Sequence, residues 1–253
     1  MKHTRKKSNG MRKDTLVLPI ILVAVVAVFL AMGESALAVD LDEANVFIEW
    51  NSTDSDHGIQ FFWDSEGFTQ MTVTNSGGTL DIGTTGNVAL QGLTETAIES
   101  VEPDESEQTR AEFFARFPAE TYLFSGTSTE GDPITGEAEL THDLLEPVLF
   151  TKINLPVIEW IEPELNDVTG EDLEVVGYEL VVELVVLVEE DGEEEERVFT
   201  ETTVYPAGVS KHIVSNRFMG VIKNPPGEIE ELKVEILATE PSGNRTITEQ
   251  AVE

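Results

Sequence analysis

The sequence contains no cysteine, so no disulfide, thiolate metal site or cysteine nucleophile is available to this protein. Each domain must therefore be stable on its apolar core alone, which is feasible for domains of about 100 residues. Hydrophobic residues make up 40% of the chain and follow regular periods. The sequence therefore predicts folded domains rather than a disordered acidic tail.

Positive charge is also scarce, with 15 lysines and arginines against 49 aspartates and glutamates. Beyond residue 38, only 9 basic residues remain against 47 acidic ones, a formal charge of −38 over 215 residues. This charge repels phosphate backbones and anionic lipids, so we expect no nucleic-acid partner. It favours cations, cationic partners and solubility in salt, and adaptation to a saline or crowded exterior is its simplest explanation.

Familiar catalytic motifs are missing as well, since no H-E-x-x-H, G-x-S-x-G, P-loop or G-x-G-x-x-G occurs. The histidines beyond residue 38 are His57, His142 and His212, and the turn or strand-end positions of His57 and His142 predict surface side chains. Among 47 carboxylates, a glycosidase-like pair arises by chance and predicts little. We therefore predict a protein that is not an enzyme, without catalytic residues or an organic cofactor.

The first 38 residues have the pattern of an export signal. A basic head is followed by an apolar run from Leu16 to Met32 and by Ala36-Leu37-Ala38, an A-x-A end with small residues at the two positions that a signal peptidase recognises. We predict cleavage after Ala38 and a periplasmic or secreted protein. Because 17 apolar residues are close to the minimum for a membrane span, the alternative is an anchor in the inner membrane through residues 16–32. The membrane is an expected partner only in that uncleaved form.

Residues 40–147 are predicted to form an N-terminal β domain. Short strands with alternating apolar residues are expected at 44–51, 59–63, 71–73, 94–101, 121–125 and 136–142. The polar segment from Asn51 to Gly58 predicts the hairpin turn between the first two strands. One short helix is expected, because Asp104 and Glu107 fit a capping box upstream of three phenylalanines, and Pro118 ends the pattern.

Residues 148–253 are predicted to form a second β domain, reached through a linker between Glu146 and Pro156. Its strands are expected at 178–188, 197–205, 213–222, 232–238 and 246–248. Asp191-Gly192 is a strong hairpin signal, so the acidic run 189–196 is best explained as a solvated hairpin tip. Regularly spaced short strands separated by Gly, Pro and Asn turns are typical of a β-sandwich.

The segment from Leu155 to Thr248 resembles a fibronectin type III domain. The matching residues are Pro156, Ile158 and Trp160 early, Gly177-Tyr178-Glu179-Leu180 in the middle, and Val234, Ile236, Ala238 and Gly243 late. Leu232 departs from the family pattern, which has a corner tyrosine there. The resemblance implies an immunoglobulin-like sandwich and says nothing of the ligand. The expected fold class is all-β, with two β-sandwich domains, the first carrying one short helix.

The first domain is similar to the amino-terminal part of a family of uncharacterised exported bacterial proteins. The similarity lies in residues 51–60 (NSTDSDHGIQ), 91–95 (QGLTE) and 112–126 (EFFARFPAETYLFSG). It implies the architecture and export, and no activity.

One loop carries a metal-site prediction. Asn51, Asp54 and Asp56 offer alternating oxygen ligands of the kind that suit a hard cation, in a tight loop that ends at Gly58. The loop departs from the EF-hand pattern, because Ser65 stands where that pattern has a bidentate glutamate. We predict weak calcium binding here; a simple Asx-rich hairpin turn is the alternative.

Together these features predict an exported, non-enzymatic binding, adhesion or spacer protein of the cell envelope or extracellular space. Its partner is expected to be a protein or a glycan. Two alternatives remain, namely a carbohydrate-active hydrolase or its accessory module, and a membrane-tethered subunit of an envelope complex.

Overall fold

Strands make up most of the structure, a computed structural model that describes residues 38–78, 81–85, 92, 94–190 and 193–252. The fold is all-β, as predicted, with two short helices in this part of the chain. The apolar run at residues 16–32 lies outside the described residues. Within them, neither helix has the length and apolar character that crossing a bilayer requires.

The first sandwich begins at residue 39. Its elements are β1 (Val39–Asp40), β2 (Glu43–Asn51), β3 (Asp56–Asp64), β4 (Phe68–Asn75), β5 (Asp81–Thr85), β6 (Glu95–Glu99), α1 (Arg110–Arg116), β7 (Thr121–Ser128) and β8 (Pro133–Glu139). One sheet has the order β1-β8-β7-β4-β5, and β2-β3-β6 face it. The predicted hairpin is confirmed, since β2 and β3 pair around a turn at residues 52–55.

The second sandwich follows directly. Its elements are β9 (Leu149–Asn154), β10 (Val157–Ile161), β11 (Gly177–Glu190), β12 (Glu193–Pro206), β13 (Lys211–Ile213), α2 (Asn216–Lys223), β14 (Glu228–Thr239) and β15 (Arg245–Ala251). A three-stranded sheet, β13-β10-β9, faces the strands β12-β11-β14-β15. The fibronectin type III/immunoglobulin-like sandwich predicted for this part is confirmed. The acidic hairpin also forms, with Glu190 paired to Glu193, and its tip lies outside the described residues.

The two sandwiches repeat one topology. When seven strands are numbered in each sandwich, starting at β2 in the first and at β9 in the second, strands 1, 2 and 5 form one sheet. The other sheet has the order 4-3-6-7. In both, a helix connects the fifth strand to the sixth. The first sandwich also has a tyrosine corner, because the Tyr122 hydroxyl at the start of β7 donates to the Pro118 carbonyl (3.1 Å). The first domain is therefore a second copy of the fold that the sequence revealed only in the other half.

Each sandwich has its own hydrophobic core. The first core contains Ile48, Trp63 and Phe124 among buried residues between positions 46 and 144, and the second contains Trp160 and Leu184 among residues between 145 and 238. The predicted alternation along β11 is confirmed, since its alternate residues from 178 to 186 are all buried. Period-two patterning thus determines which face of each strand enters the core.

A single sheet of seven strands, in the order β12-β11-β14-β15-β2-β3-β6, nevertheless runs through both sandwiches. Residues from Ala38 onward form one compact unit. The division at residue 147 stays a prediction, because the cores are separate while the hydrogen-bonded sheet is shared.

The first helix starts later than its predicted capping box. Thr109 caps α1, its hydroxyl accepting from the N–H of Glu112, while the Glu112 carboxylate accepts from the N–H of Thr109. Asp104 instead accepts from the N–H of Ser106 in the preceding turn (2.7 Å). Both segments fit the capping pattern, and the helix uses the one directly before its buried phenylalanines.

Two further predictions for the second domain were wrong. The predicted strand at 213–222 contains only the end of β13, because Ser215 caps α2 by accepting from the N–H of Phe218 (3.1 Å). The helical spacing of buried Val214, Phe218 and Met219 outweighs their β-propensity. The predicted linker 146–156 contains β9, which pairs with β10 as the first strand of the sandwich.

Candidate functional site

The junction between the sandwiches combines strand pairing with buried polar side chains. Strand β15 pairs in parallel with β2, and Arg245, Thr246 and Ile247 align with residues 49–51. The backbone N–H of Ser52 extends the ladder by donating to the carbonyl of Ile247 (2.9 Å). Strand β2 therefore pairs with its own sandwich through β3 and with the other sandwich through β15.

Asn244, only 1% exposed, joins the two sandwiches through its side chain. Its Oδ1 accepts from the N–H of Ile48 (2.7 Å), on the edge of β2 that faces away from β3. Its Nδ2 donates to the carbonyl of Asp143 (2.9 Å) and to Thr141 Oγ1 (2.9 Å). One buried amide thus satisfies backbone groups where the parallel pairing begins, and a residue without both a donor and an acceptor cannot replace it.

The turn that presents Asn244 is fixed by Glu240, a buried carboxylate. Glu240 accepts from the N–H groups of Ser242 (2.8 Å) and Asn244 (2.8 Å), and also from the Ser242 hydroxyl. Burial raises the pKa of Glu240, and the hydrogen bonds oppose that rise. The carboxylate therefore acts as a structural clamp on the turn.

A second contact crosses between the halves of the chain through Arg110. Its Nη1 forms an ion pair with Asp167 (2.6 Å), and its guanidinium lies over the ring of Trp50, 4.2 Å from the centroid. Its Nε donates to Nε2 of His57 (3.1 Å). Arg110 is thus held by an anion, an aromatic face and an imidazole at once, which is a geometry that lysine does not reproduce.

The predicted surface position of His57 was wrong. The side chain is 1% exposed, its ring lies between Trp50 and Phe113, and burial together with the charge of Arg110 lowers its pKa to about 4. His57 faces the core because β3 begins at Asp56, three residues before the predicted start at 59, and His57 lies on the same inward face as Ile59. His142 is half-buried and stacks on Phe114, with 3.9 Å between ring centroids.

His212 is also buried, in a small polar cluster that includes Ser215 at the start of α2. Its Nδ1 lies 2.7 Å from the Tyr205 hydroxyl, and its Nε2 lies 3.2 Å from a carboxylate oxygen of Glu201. Glu201 accepts from both the N–H and the hydroxyl of Ser215, the residue that caps α2. Because the serine bonds to the carboxylate and not to the imidazole, the arrangement is a helix cap and lacks the contact between nucleophile and base that acyl transfer needs.

The predicted calcium ligands lie together beside the junction. The Oδ1 of Asn51 accepts from the backbone N–H groups of Thr53 (3.0 Å) and Asp54 (3.3 Å), which forms an Asx turn. Its Nδ2 donates to Asp54 (3.1 Å) and to Glu249 of β15 (2.7 Å). The loop thus has the hydrogen bonds of a hairpin turn, and it also contacts the second sandwich.

Negative charge accumulates around this loop. Burial raises the pKa of Asp56, and Asp54, Glu249 and Asp104 raise it further. On the neighbouring surface, carboxylate oxygens of Glu49, Glu99 and Glu102 lie within 4.8 Å of one another. Sequence reasoning missed this second group, because β6 and the segment after it are far from β2 in the chain.

Comparisons with known proteins give no relative in sequence and a set of solved structures of low similarity. No family model matches the chain, and no curated protein matches it. A tetra-tandem repeat from the extending region of a large adhesion protein aligns with 83% of this chain and 49% of its own (12% identity, TM-score 0.23). A solved chain from a structural study of a 1.5-MDa bacterial ice-binding adhesin aligns over 85% of this chain and 64% of that solved chain (11% identity, TM-score 0.25).

A segment of two fibronectin type III domains from chicken tenascin aligns with 84% of this chain and 98% of its own, at 10% identity and a TM-score of 0.22. The chain therefore spans about half the length of the first of these structures and about two thirds of the second. Because these similarities are low, the fold assignment rests on the strand topology of this chain.

Proposed function

We propose that this protein is a non-enzymatic, extracytoplasmic module that serves as a stiff spacer or adhesion unit of the cell envelope or extracellular space. The observation that carries the proposal is the seven-stranded sheet shared by both sandwiches. Tandem domains joined only by a flexible linker move independently. Here the β2–β15 ladder and the buried Asn244 oppose such motion, which suits a part that transmits force or holds a fixed separation.

The charge supports the same role. A formal charge of −38 beyond residue 38 keeps the molecule soluble and discourages association between copies. The partner would be a protein or a glycan, and nucleic acid is disfavoured. The polar clusters support this reading too, because Glu240, Glu201 and His212 are engaged in holding turns and helix ends.

Fractionation of the native host tests the location. We expect the protein outside the cytoplasm, with an N-terminus that begins after Ala38. A form that retains the basic head, about 38 residues heavier and bound to the inner membrane, would favour the tethered alternative. A cytoplasmic protein would contradict the proposal.

Complementation of a deletion strain separates a spacer from a hydrolase. We expect the full chain and its variant with Glu49, Glu99 and Glu102 changed to glutamine to correct the defect of the deletion strain equally. In this group, three carboxylate oxygens lie within 4.8 Å of one another. Loss of complementation by this variant, with its thermal stability unchanged, would favour the hydrolase alternative, because glycoside hydrolysis depends on paired carboxylates.

The calcium prediction at Asn51, Asp54 and Asp56 remains a second proposal. What supports it is the group of carboxylates around Asp56: burial raises the pKa of Asp56, Asp54 and Glu249 raise it further, and a bound cation would relieve their repulsion. Calcium titration by calorimetry, with the native chain and with Asp54→Asn plus Asp56→Asn, tests it.

A further inference from the structure

We infer that the outer edge of β12 is a docking site for an extended segment of a partner protein, which adds as an eighth strand to the shared sheet. This inference rests on the proposed function, since it names how a spacer or adhesion module would hold its partner. The expected partner segment has β-branched residues in its middle and lysine or arginine at one end.

The length of β12 is the first observation. It has 14 residues and ends the seven-stranded sheet. The other edge strands in the described part of the chain, β1, β5, β6, β9 and β13, have two to six residues. Proteins usually keep edge strands short or block them, because unpaired backbone groups recruit other strands.

The hydrogen-bonding pattern of β12 determines which of its backbone N–H groups point away from β11. The N–H of Ala207 donates to the carbonyl of Val176 (3.4 Å), which makes the adjacent pair of Gly177 and Pro206 a non-hydrogen-bonded one. Pairs along an antiparallel ladder alternate. The N–H groups of residues 198, 200, 202 and 204 therefore point away from β11, and no strand of the described structure pairs with them.

The side chains of the same residues form an uncharged exposed row. Val198 is 56% exposed and Val204 is 74% exposed, and the exposed threonines Thr200 and Thr202 lie between them. The register with β11 continues over all 14 pairs without a bulge. Within this row, neither charge nor proline protects the edge, and residues of this kind favour an added strand.

On the face that carries this row, protective residues lie at the two ends of β12, while the charged Arg197 and Glu201 occupy alternate positions on the other face. Pro206 ends the strand, and the exposed Glu194, Glu195 and Glu196 begin it. The acidic end selects an occupant with positive charge beside it. A second copy of this chain is disfavoured, because it would bring its own formal charge of −34 to the same edge.

The test uses the full chain and a labelled synthetic peptide of twelve residues, with alternating valine and threonine followed by three lysines at its carboxyl end. An antiparallel peptide would place these lysines beside the glutamates of β12. We expect binding that weakens as salt rises. Hydrogen exchange at the amides of Val198, Thr200 and Thr202 should slow when the peptide is added. The same peptide with glutamates in place of lysines should not bind.

Variants of Thr200 separate strand addition from simple charge attraction. Thr200→Pro removes an outward N–H without removing a bond to β11, so we expect the chain to fold and to bind the peptide at least about tenfold more weakly. Thr200→Val keeps the N–H and should bind like the wild type. Changing Glu194, Glu195 and Glu196 to glutamine should weaken binding and reduce its dependence on salt.

Unchanged binding by a folded Thr200→Pro variant would overturn the edge site. So would equal binding of the acidic peptide, or a dimer of the chain alone that Thr200→Pro abolishes, since that result would assign the edge to a second copy. Neither peptide nor variant touches the β2–β15 junction. A failed titration by a chain that unfolds in one transition therefore leaves the spacer proposal standing, while two separate transitions overturn that proposal whatever the peptide does.

Discussion

Replacing Asn244 with alanine should uncouple the two sandwiches. The change leaves the buried N–H of Ile48 and the carbonyl of Asp143 without their partner, and it removes a bond to Thr141. Each of these two buried backbone groups costs about 1–3 kcal/mol when it is left without a partner, so we expect the free energy of unfolding to fall by about 4 kcal/mol. For a unit of this size, that lowers the melting temperature by about 10 °C.

The assay is urea unfolding followed by tryptophan fluorescence. Trp50 and Trp63 lie in the first core and Trp160 lies in the second, so variants that keep tryptophan in one core report each sandwich separately. Both reporters should give one transition in the native background and two in the Asn244→Ala variant. Asn45→Ala is the matched control, because Asn45 is exposed and bonds only to a neighbouring glutamate, so we expect a change below about 0.5 kcal/mol. An Asn244→Ala variant as stable as this control would refute the reasoning.

Three further predictions concern single sites. In the folded state the pKa of His57 is lowered to about 4, so its contribution to stability is complete above pH 6.5 and is lost as the pH falls through 4. Relative to a His57→Gln variant, the free energy of unfolding measured in urea should fall by up to about 3 kcal/mol over this range. Parallel plots of the free energy of unfolding against pH for the two proteins would contradict this. Calcium calorimetry should give weak heat with the native chain and none with Asp54→Asn plus Asp56→Asn, and two flat traces would end the calcium proposal. Tyr122→Phe should lower the free energy of unfolding by about 1 kcal/mol, through loss of the corner hydrogen bond, and an unchanged urea midpoint would count against that role.

Period-two patterning predicted the strands well, because burial on one face of a sheet leaves a direct record in the sequence. Tyr178, Leu180 and Val182 alternate along β11 and are all buried. The same reasoning failed at Val214 and Phe218, where a short apolar stretch fits both periods and the Ser215 cap decides in favour of a helix.

Contacts between distant segments left no local record. Asn244 reads as an ordinary turn residue, and its bond to Ile48 spans 196 positions. The burial of His57 depends on its register with Trp50 and on Arg110 of a later helix. The shared sheet was missed for the same reason, since β15 and β2 lie at opposite ends of the described chain.

Differential scanning calorimetry of the wild-type chain tests most directly whether the shared sheet makes the two sandwiches one unit. We predict one unfolding transition whose calorimetric enthalpy equals its van't Hoff enthalpy, as cooperative unfolding of a single unit requires. Two resolved transitions in the wild-type protein, each with the enthalpy of about 100 residues, would contradict the account.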